Sequence, residues 1–281
     1  MLEPLRLMAI LAHPDDESLG TGGTLARYAA EGVQVSAVTA TRGEAGRYGE
    51  HRSGPEHPGP ERLGEIREAE LRAACDALGM KSLSLLGYRD GRLDEADSRE
   101  AIARIAGEVR RLRPDVVLTF PPDGAYGHPD HIAISQLAQG AIVAAASPGF
   151  EAAPLPGAER EFHVHPPHTV SKFYYIAATA SMWAVYEAMT KKLVSVVDGV
   201  ERQAVPWPDW EVTTVIDTLA HWQTAWRAVS CHASQMSIYD KLRDLPPELH
   251  GKLWGKQHYF RAFSLVNGGR VREHDLFEGL R

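Results

Sequence analysis

Two short runs of this chain combine residue types that can hold a metal ion and move protons. His13-Pro14-Asp15-Asp16-Glu17 sets an imidazole beside two adjacent carboxylates. In His128-Pro129-Asp130-His131 a helix starting at Pro129 would put the two imidazoles roughly one turn apart. A catalytic Zn²⁺ takes three protein ligands and keeps one position for water, whose pKa it lowers to about 7. Two histidines and one carboxylate meet that requirement, and the resulting hydroxide suits attack on an amide. Asp15 and Asp16 are neighbours and cannot readily point the same way, so one can ligate while the other acts as base. Amide hydrolysis also needs a group that stabilises the developing oxyanion and a proton for the leaving amine. Tyr126 and His128 are candidates for the carbonyl oxygen.

The elements that must position these runs follow from hydrophobic patterning. Leu5 to Leu11 reads as a buried strand, followed by a helix from about Gly20 to Glu31 and a strand from Val33 to Thr39. A helix from Glu61 to Leu78 stopped by Gly79, a strand from Ser82 to Leu86, a helix from Ser98 to Leu112, a strand from Asp115 to Phe120 and a helix from Pro129 to about Ala146 complete a β/α alternation. The predicted fold class is α/β: a Rossmann-like, mostly parallel sheet flanked by helices, with a C-terminal α+β elaboration. Both chemical runs then lie at carboxyl ends of strands, where such sheets bind ligands. A lone Asp-rich turn is commonly just a helix cap, but two His/Asp clusters on one rim are hard to read that way.

The Pro- and Gly-rich stretch from Ser147 to Pro167 divides a catalytic core, 1–147, from an elaboration, 148–281, that completes the pocket within the same compact unit. In the second part Lys172 to Ala178 and Glu211 to Ile216 read as strands, and His221 to Ser230 as helix. Arg42 to Pro60 has no periodic apolar pattern, and a loop of that length in a compact domain reads as a mobile lid over substrate.

A net charge of −7 argues against general nucleic-acid binding, which needs a cationic surface, and points to a small-molecule partner. No apolar stretch is long and unbroken enough to cross a bilayer. Two cysteines, Cys75 and Cys231, allow no disulfide framework and fit a cytoplasmic protein. A second metal site at His163, His165 and His168 is disfavoured by the surrounding prolines. The Gly20/Gly22 region fails the dinucleotide fingerprint at Leu25, and Ser18 lacks a nucleophile elbow. Trp207, Trp210, Trp222 and Trp226 read as core rather than as a sugar-stacking surface.

Ala12 to Glu17 together with His128 to His131 resembles the paired motifs of the PIG-L (LmbE-like) deacetylases, the family that includes mycothiol- and bacillithiol-type N-acetylglucosaminyl deacetylases. The resemblance implies His13, Asp16 and His131 as ligands of Zn²⁺, with Fe²⁺ able to use the same set, and Asp15 as general base. It implies that His128 stabilises the tetrahedral intermediate or protonates the amine, that Asp130 orients His128, and that Tyr126 polarises the carbonyl. By the same analogy Glu44, Arg67 and Asp90 bind sugar hydroxyls, and His232-Ala233-Ser234-Gln235 matches a C-terminal motif. The expected activity is removal of an acetyl group from an N-acetylglucosamine-type conjugate, by a protein that binds neither nucleic acid nor membrane and that could form a homo-oligomer. Alternatives are an amidase of thiol S-conjugates or a non-catalytic sugar-binding protein on the same scaffold. The first is separated by a substrate panel, and the second is disfavoured by the joint presence of Asp15, Tyr126 and His128.

Overall fold

The apolar run that follows Arg6 forms β1 (Arg6–Leu11), in which Leu7, Met8, Ala9 and Ile10 are wholly buried. Burial on both faces is what a parallel strand covered by helices requires. In the computed structural model, which describes residues 3–158, 163–184, 194–197 and 199–281, β1 pairs in parallel with β2 (Gln34–Thr41) on one side. After β3 (Ser82–Tyr88), β4 (Val116–Thr119) pairs in parallel with β1 on the other side. β3 extends the sheet beyond β2, and β5 (Lys172–Ile176) extends it beyond β4, both in parallel. A small hairpin, β6 (Val194–Val197) with β7 (Val200–Gln203), stands apart from the main sheet. β8 (Thr214–Asp217) and the antiparallel β9 (Lys256–Ser264) then finish a seven-stranded sheet in the order β3-β2-β1-β4-β5-β9-β8. The chain leaves β1 in one direction toward β2 and later returns on its other side with β4, so the crevice of the switch point opens at the carboxyl ends of β1 and β4.

Helices cover the sheet. α1 (Asp16–Leu19), α2 (Gly22–Ala30), α3 (Pro60–Leu78), α4 (Ser98–Leu112) and α5 (Pro129–Ala146) belong to the β/α alternation. α6 (Trp222–Cys231), α7 (Met236–Arg243) and α8 (Pro247–Trp254) follow β8. Local chemistry sets their ends. Pro60 opens α3, and Gly79, at φ 78°, closes it in the left-handed conformation. Asp97 caps α4 by accepting the Glu100 N–H at 3.0 Å.

The predicted Gly20–Glu31 helix is α2, while the short α1, which starts inside the His-Pro-Asp-Asp run and ends before the chain turns at Gly20 and Thr21, was not foreseen. β9 was not foreseen. Its interspersed Lys256, His258 and Arg261 hide an alternation in which Gln257 and Tyr259 face the core. The far edge is closed by Glu273, which is 1% exposed and bonds Lys172 Nζ (2.6 Å), Arg261 Nη1 (2.8 Å), Tyr174 Oη (2.8 Å) and Thr214 Oγ1 (2.7 Å). Among the described residues no helix is long and apolar enough to cross a membrane.

Candidate active site

The site is assembled from the two strand-end turns. Just past β1, the Asp16 carboxylate accepts the N–H groups of Ala12 (3.2 Å) and His13 (2.8 Å) through Oδ2, which anchors it at the strand end. Just past β4, the turn Gly124–Gly127 leads into α5. Gly124 lies at φ 67°, and a Cβ there would stand 2.9 Å from Ile132 Cγ1 and 3.1 Å from His131 Cβ, so the turn needs glycine twice over. The Gly124 carbonyl faces His131 Nδ1 at 3.2 Å, and the His131 ring stacks on Phe120 with centroids 3.8 Å apart.

Across the crevice His13 Nδ1 and His131 Nε2 face each other at 3.2 Å. The Asp16 carboxylate oxygens lie 3.7 Å from the former and 3.6 Å from the latter. A tetrahedral ion with bonds of about 2.0–2.1 Å separates its ligand atoms by roughly 3.3 Å, close to the spacing of the two imidazole nitrogens, with Asp16 Oδ2 near one and Oδ1 near the other. The donor chemistry agrees. The second nitrogen of His131 donates to a carbonyl, and the second nitrogen of His13 lies 3.1 Å from both Asp130 Oδ2 and Asp90 Oδ1, so each ring, when neutral, turns a lone pair toward the other. Two lone pairs at that distance repel unless a positive charge, a proton or a metal ion, stands between them. His13, Asp16 and His131 therefore form a cluster that can hold a cation.

The electrostatics follow from this crowding. Burial alone would lower His13, but hydrogen bonds to Asp130 and Asp90, with Asp16 nearby, outweigh it and raise it well above its ordinary value. Burial pushes Asp16 up to about 7 against the pull of His13. Burial and the charges of His13 and His128 hold His131 well below its usual range. Tyr126 is raised by burial and by the surrounding carboxylates, which keeps its phenol protonated and able to donate.

His128 is the N-cap of α5, with its Nδ1 accepting the Asp130 N–H at 3.2 Å. A neutral ring in that position carries its proton on Nε2. The resemblance implied that Asp130 orients His128; its backbone N–H makes that bond, while its carboxylate is engaged by other groups. The fully buried Asp130 carboxylate turns back toward β1, bonding His13 Nε2 and the N–H groups of Gly91 (2.8 Å) and Leu93 (3.0 Å). The carboxylate that steadies an imidazole thus serves His13, because the loop after β3 offers two N–H groups on that side.

Asp15 has φ 104°, a conformation that non-glycine residues avoid. Its Oδ2 accepts from Arg67 Nη2 (3.1 Å) and Tyr239 Oη (3.0 Å), while its N–H donates to Glu17 Oε2 (3.0 Å). Arg67 also reaches the carbonyls of Gly43 (2.8 Å) and Pro14 (2.5 Å), and its guanidinium fills the space a Cβ on Gly43 would need. Glu44 accepts the Asp90 N–H at 2.8 Å, and Asp90 accepts the Ala45 N–H at 2.9 Å. Glu44, Arg67 and Asp90 are therefore woven into the frame of the site. Glu44 Oε2 and Arg67 Nε are buried without a hydrogen-bond partner.

The C-terminal half contributes more than sequence reasoning assigned it. His232 Nε2 lies 2.8 Å from Glu17 Oε1, both side chains wholly buried. Burial would lower His232 but the Glu17 charge raises it, and burial would raise Glu17 but His232 lowers it, as in an ion pair. Tyr239 was missed altogether, since a tyrosine on a short helix carries no motif. The Arg42–Pro60 loop is tied down by Gly49 N–H to Ser234 O (2.8 Å), Gln235 Nε2 to Arg47 O (2.7 Å) and Ser237 Oγ to Gly49 O (2.6 Å). Among the discounted residues, His168 bonds the Pro114 carbonyl at 2.8 Å, and Trp222 and Trp226 pack against His250, as does Trp254. Trp210, read as core, is 75% exposed.

Fold and site together define a Rossmann-like α/β protein with a cluster at its switch point that can hold a cation. The chain belongs to the PIG-L family, whose model, described as GlcNAc-PI de-N-acetylase, matches residues 8–142. It is 35% identical to a 1D-myo-inositol 2-acetamido-2-deoxy-alpha-D-glucopyranoside deacetylase of Kineococcus radiotolerans, over 99% of this chain and 84% of that protein. The solved structure of the conserved protein TT1542 of Thermus thermophilus matches with a TM-score of 0.62 and 25% identity, covering 94% of this chain and 97% of that one. The 4-carboxy-2-hydroxymuconate hydratase of Pseudomonas putida matches with a TM-score of 0.66 at 19% identity, over 94% and 99% of the two chains. The fold is thus shared with a protein named for a different reaction, and the function has to be argued from the site.

Proposed function

We propose that this protein hydrolyses the amide of an N-acetylglucosamine conjugate, releasing acetate and the free amine, with residues 1–147 as catalytic core and 148–281 completing the pocket. The observation that carries this reading is the pair of imidazole nitrogens, His13 Nδ1 and His131 Nε2, facing each other at 3.2 Å beside Asp16. Those three residues would hold Zn²⁺, or Fe²⁺ by the same ligands. Such an ion, when bound, supplies Lewis acidity and makes hydroxide accessible near neutral pH.

Asp15 takes the proton of the attacking water. Arg67 and Tyr239 both bond its Oδ2, which keeps it aimed. Tyr126, held as a neutral phenol, donates to the carbonyl oxygen as charge develops there. His128, with its proton on Nε2, shares that oxygen or delivers the proton to the leaving amine. Glu44, Arg67 and Asp90, which frame the site, are the residues that the family resemblance offers for the sugar hydroxyls. The substrate class is supported by the 35%-identical relative, whose name specifies an acetamido sugar on inositol. The free cysteines, Cys75 and Cys231, fit a reducing cytoplasm.

The test is acetate release by the Zn²⁺-loaded protein from 1D-myo-inositol 2-acetamido-2-deoxy-alpha-D-glucopyranoside, beside thiol S-conjugate amides. Hydrolysis of the first in preference to the second is expected. Asp15→Ala should keep its metal and lose roughly 10²–10⁴-fold in kcat, the usual worth of a general base. Wild-type turnover in that variant would remove Asp15 from the base role.

A further inference from the structure

We infer that Glu17 and His232 form a positioning pair that holds the backbone of Asp15, so that the C-terminal half of the chain sets the aim of the base. The inference rests on the role proposed above for Asp15. It begins with a conformation: Asp15 stands at φ 104° and ψ −25°, which a side-chain-bearing residue keeps only when its surroundings impose it. What imposes it is visible. The Asp15 N–H is captured at 3.0 Å by Glu17 Oε2, two positions downstream, and the other carboxylate oxygen is gripped by His232 Nε2 at 2.8 Å and by the Ser18 hydroxyl.

Neither Glu17 nor His232 belongs to the cation cluster of His13, Asp16 and His131. Both are 0% exposed. A buried ionic pair gains little stability over well-packed apolar side chains, so its effect is to be sought in what it orients. His232 makes its one bond through Nε2, and its Nδ1 is buried with no partner. The ring is also fixed from outside, because the next residues are locked in turn. Glu70 binds both the N–H and the hydroxyl of Ser234 at 2.7 Å, and Gln235 bonds the Arg47 carbonyl. A chain of contacts thus runs from α3 and the Arg42–Pro60 loop through His232 and Glu17 to the Asp15 backbone. Tyr239, one helix further on, grips the Asp15 side chain from the same half.

Two variants separate positioning from mere packing. His232→Gln places an amide N–H where Nε2 donates, and His232→Leu fills the space without a donor. His232→Leu is expected to lose roughly 10–100-fold in kcat, the scale of a misaimed catalytic group, with KM and metal content near wild type, and His232→Gln to regain most of that loss. A crystal structure of His232→Leu should show Asp15 out of the positive-φ region. Wild-type kcat in His232→Leu, a loss that follows metal content or folded fraction, or no recovery in His232→Gln would overturn the inference. Failure of the proposed reaction is a different result. Wild-type protein would then release no acetate, while the Asp15 conformation in the His232→Leu crystal would still decide for or against the pair.

Discussion

Asp130→Asn distinguishes the structural arrangement from the one implied by family resemblance. If Asp130 served His128, the change would affect turnover and leave metal binding alone. The structure instead gives the carboxylate three donors: His13 Nε2 at 3.1 Å, Gly91 N–H at 2.8 Å and Leu93 N–H at 3.0 Å. An asparagine offers one oxygen and one NH₂, so if its oxygen keeps Leu93, its amide protons face the protons of Gly91 and His13. The buried acceptor that holds His13 in the tautomer with its Nδ1 lone pair free is then lost. Losing a partner behind a metal-binding imidazole typically costs 10–100-fold in affinity, or about 1.4–2.8 kcal/mol. Asp90 Oδ1 also lies 3.1 Å from His13 Nε2 and remains as an acceptor, so the single variant should fall near tenfold and Asp90→Asn/Asp130→Asn near a hundredfold. The assay is Zn²⁺ competition against a chromophoric chelator at fixed pH, with a urea melt of each variant to confirm folding. A folded Asp130→Asn protein that binds Zn²⁺ within about twofold of wild type while kcat falls would refute the reasoning and return Asp130 to His128.

Other outcomes are as direct. Tyr239→Phe removes one of the two donors on Asp15 Oδ2 and keeps the ring, so it should lower kcat about five- to tenfold, the worth of one hydrogen bond, with unchanged Tm. A steady-state comparison showing no change would mean that Arg67 alone suffices. At the sheet edge, burial would push Glu273 up, but bonds from Lys172, Thr214, Asn267 and Tyr174 outweigh it and bring it from the usual 4.5 down to about 2. Its folded value is depressed, so its contribution to stability is complete above about pH 4.5 and drains away as pH falls toward 2, amounting to about 2–3 kcal/mol after allowance for solvent screening. Glu273→Gln should cost about 3–5 kcal/mol at pH 7 by leaving Lys172 and Arg261 without their anion, and should flatten that part of the acid limb. Urea unfolding at pH 7, 4 and 3 reads both effects, and parallel wild-type and variant curves would contradict the assignment.

The resemblance of the two motifs pointed to the cation-site residues for a chemical reason: His13, Asp16 and His131 sit in runs whose composition is hard to explain without a ligand. The β/α alternation up to Ala146 was legible because fully buried parallel strands and capped helices write strong local patterns. Helix ends at Ser98, Leu112 and Pro129 agree with the predicted ones, each marked by a cap or a proline. β9 was not legible, since a strand near a sheet edge, with charged residues on one face, has a diluted alternation.

What the sequence by itself determined was the central sheet and the identity of the groups at its carboxyl rim, since both follow from short-range pattern and residue type. Tertiary structure alone decided which group serves which. That Asp130 turns to His13, that Arg67 and Tyr239 share one oxygen of Asp15, and that His232 reaches Glu17 from 215 residues away are outcomes of where the chain returns in space. Hydrogen-bond partners are chosen by distance and direction, and neither is carried by spacing along the chain once the turns between elements are crossed.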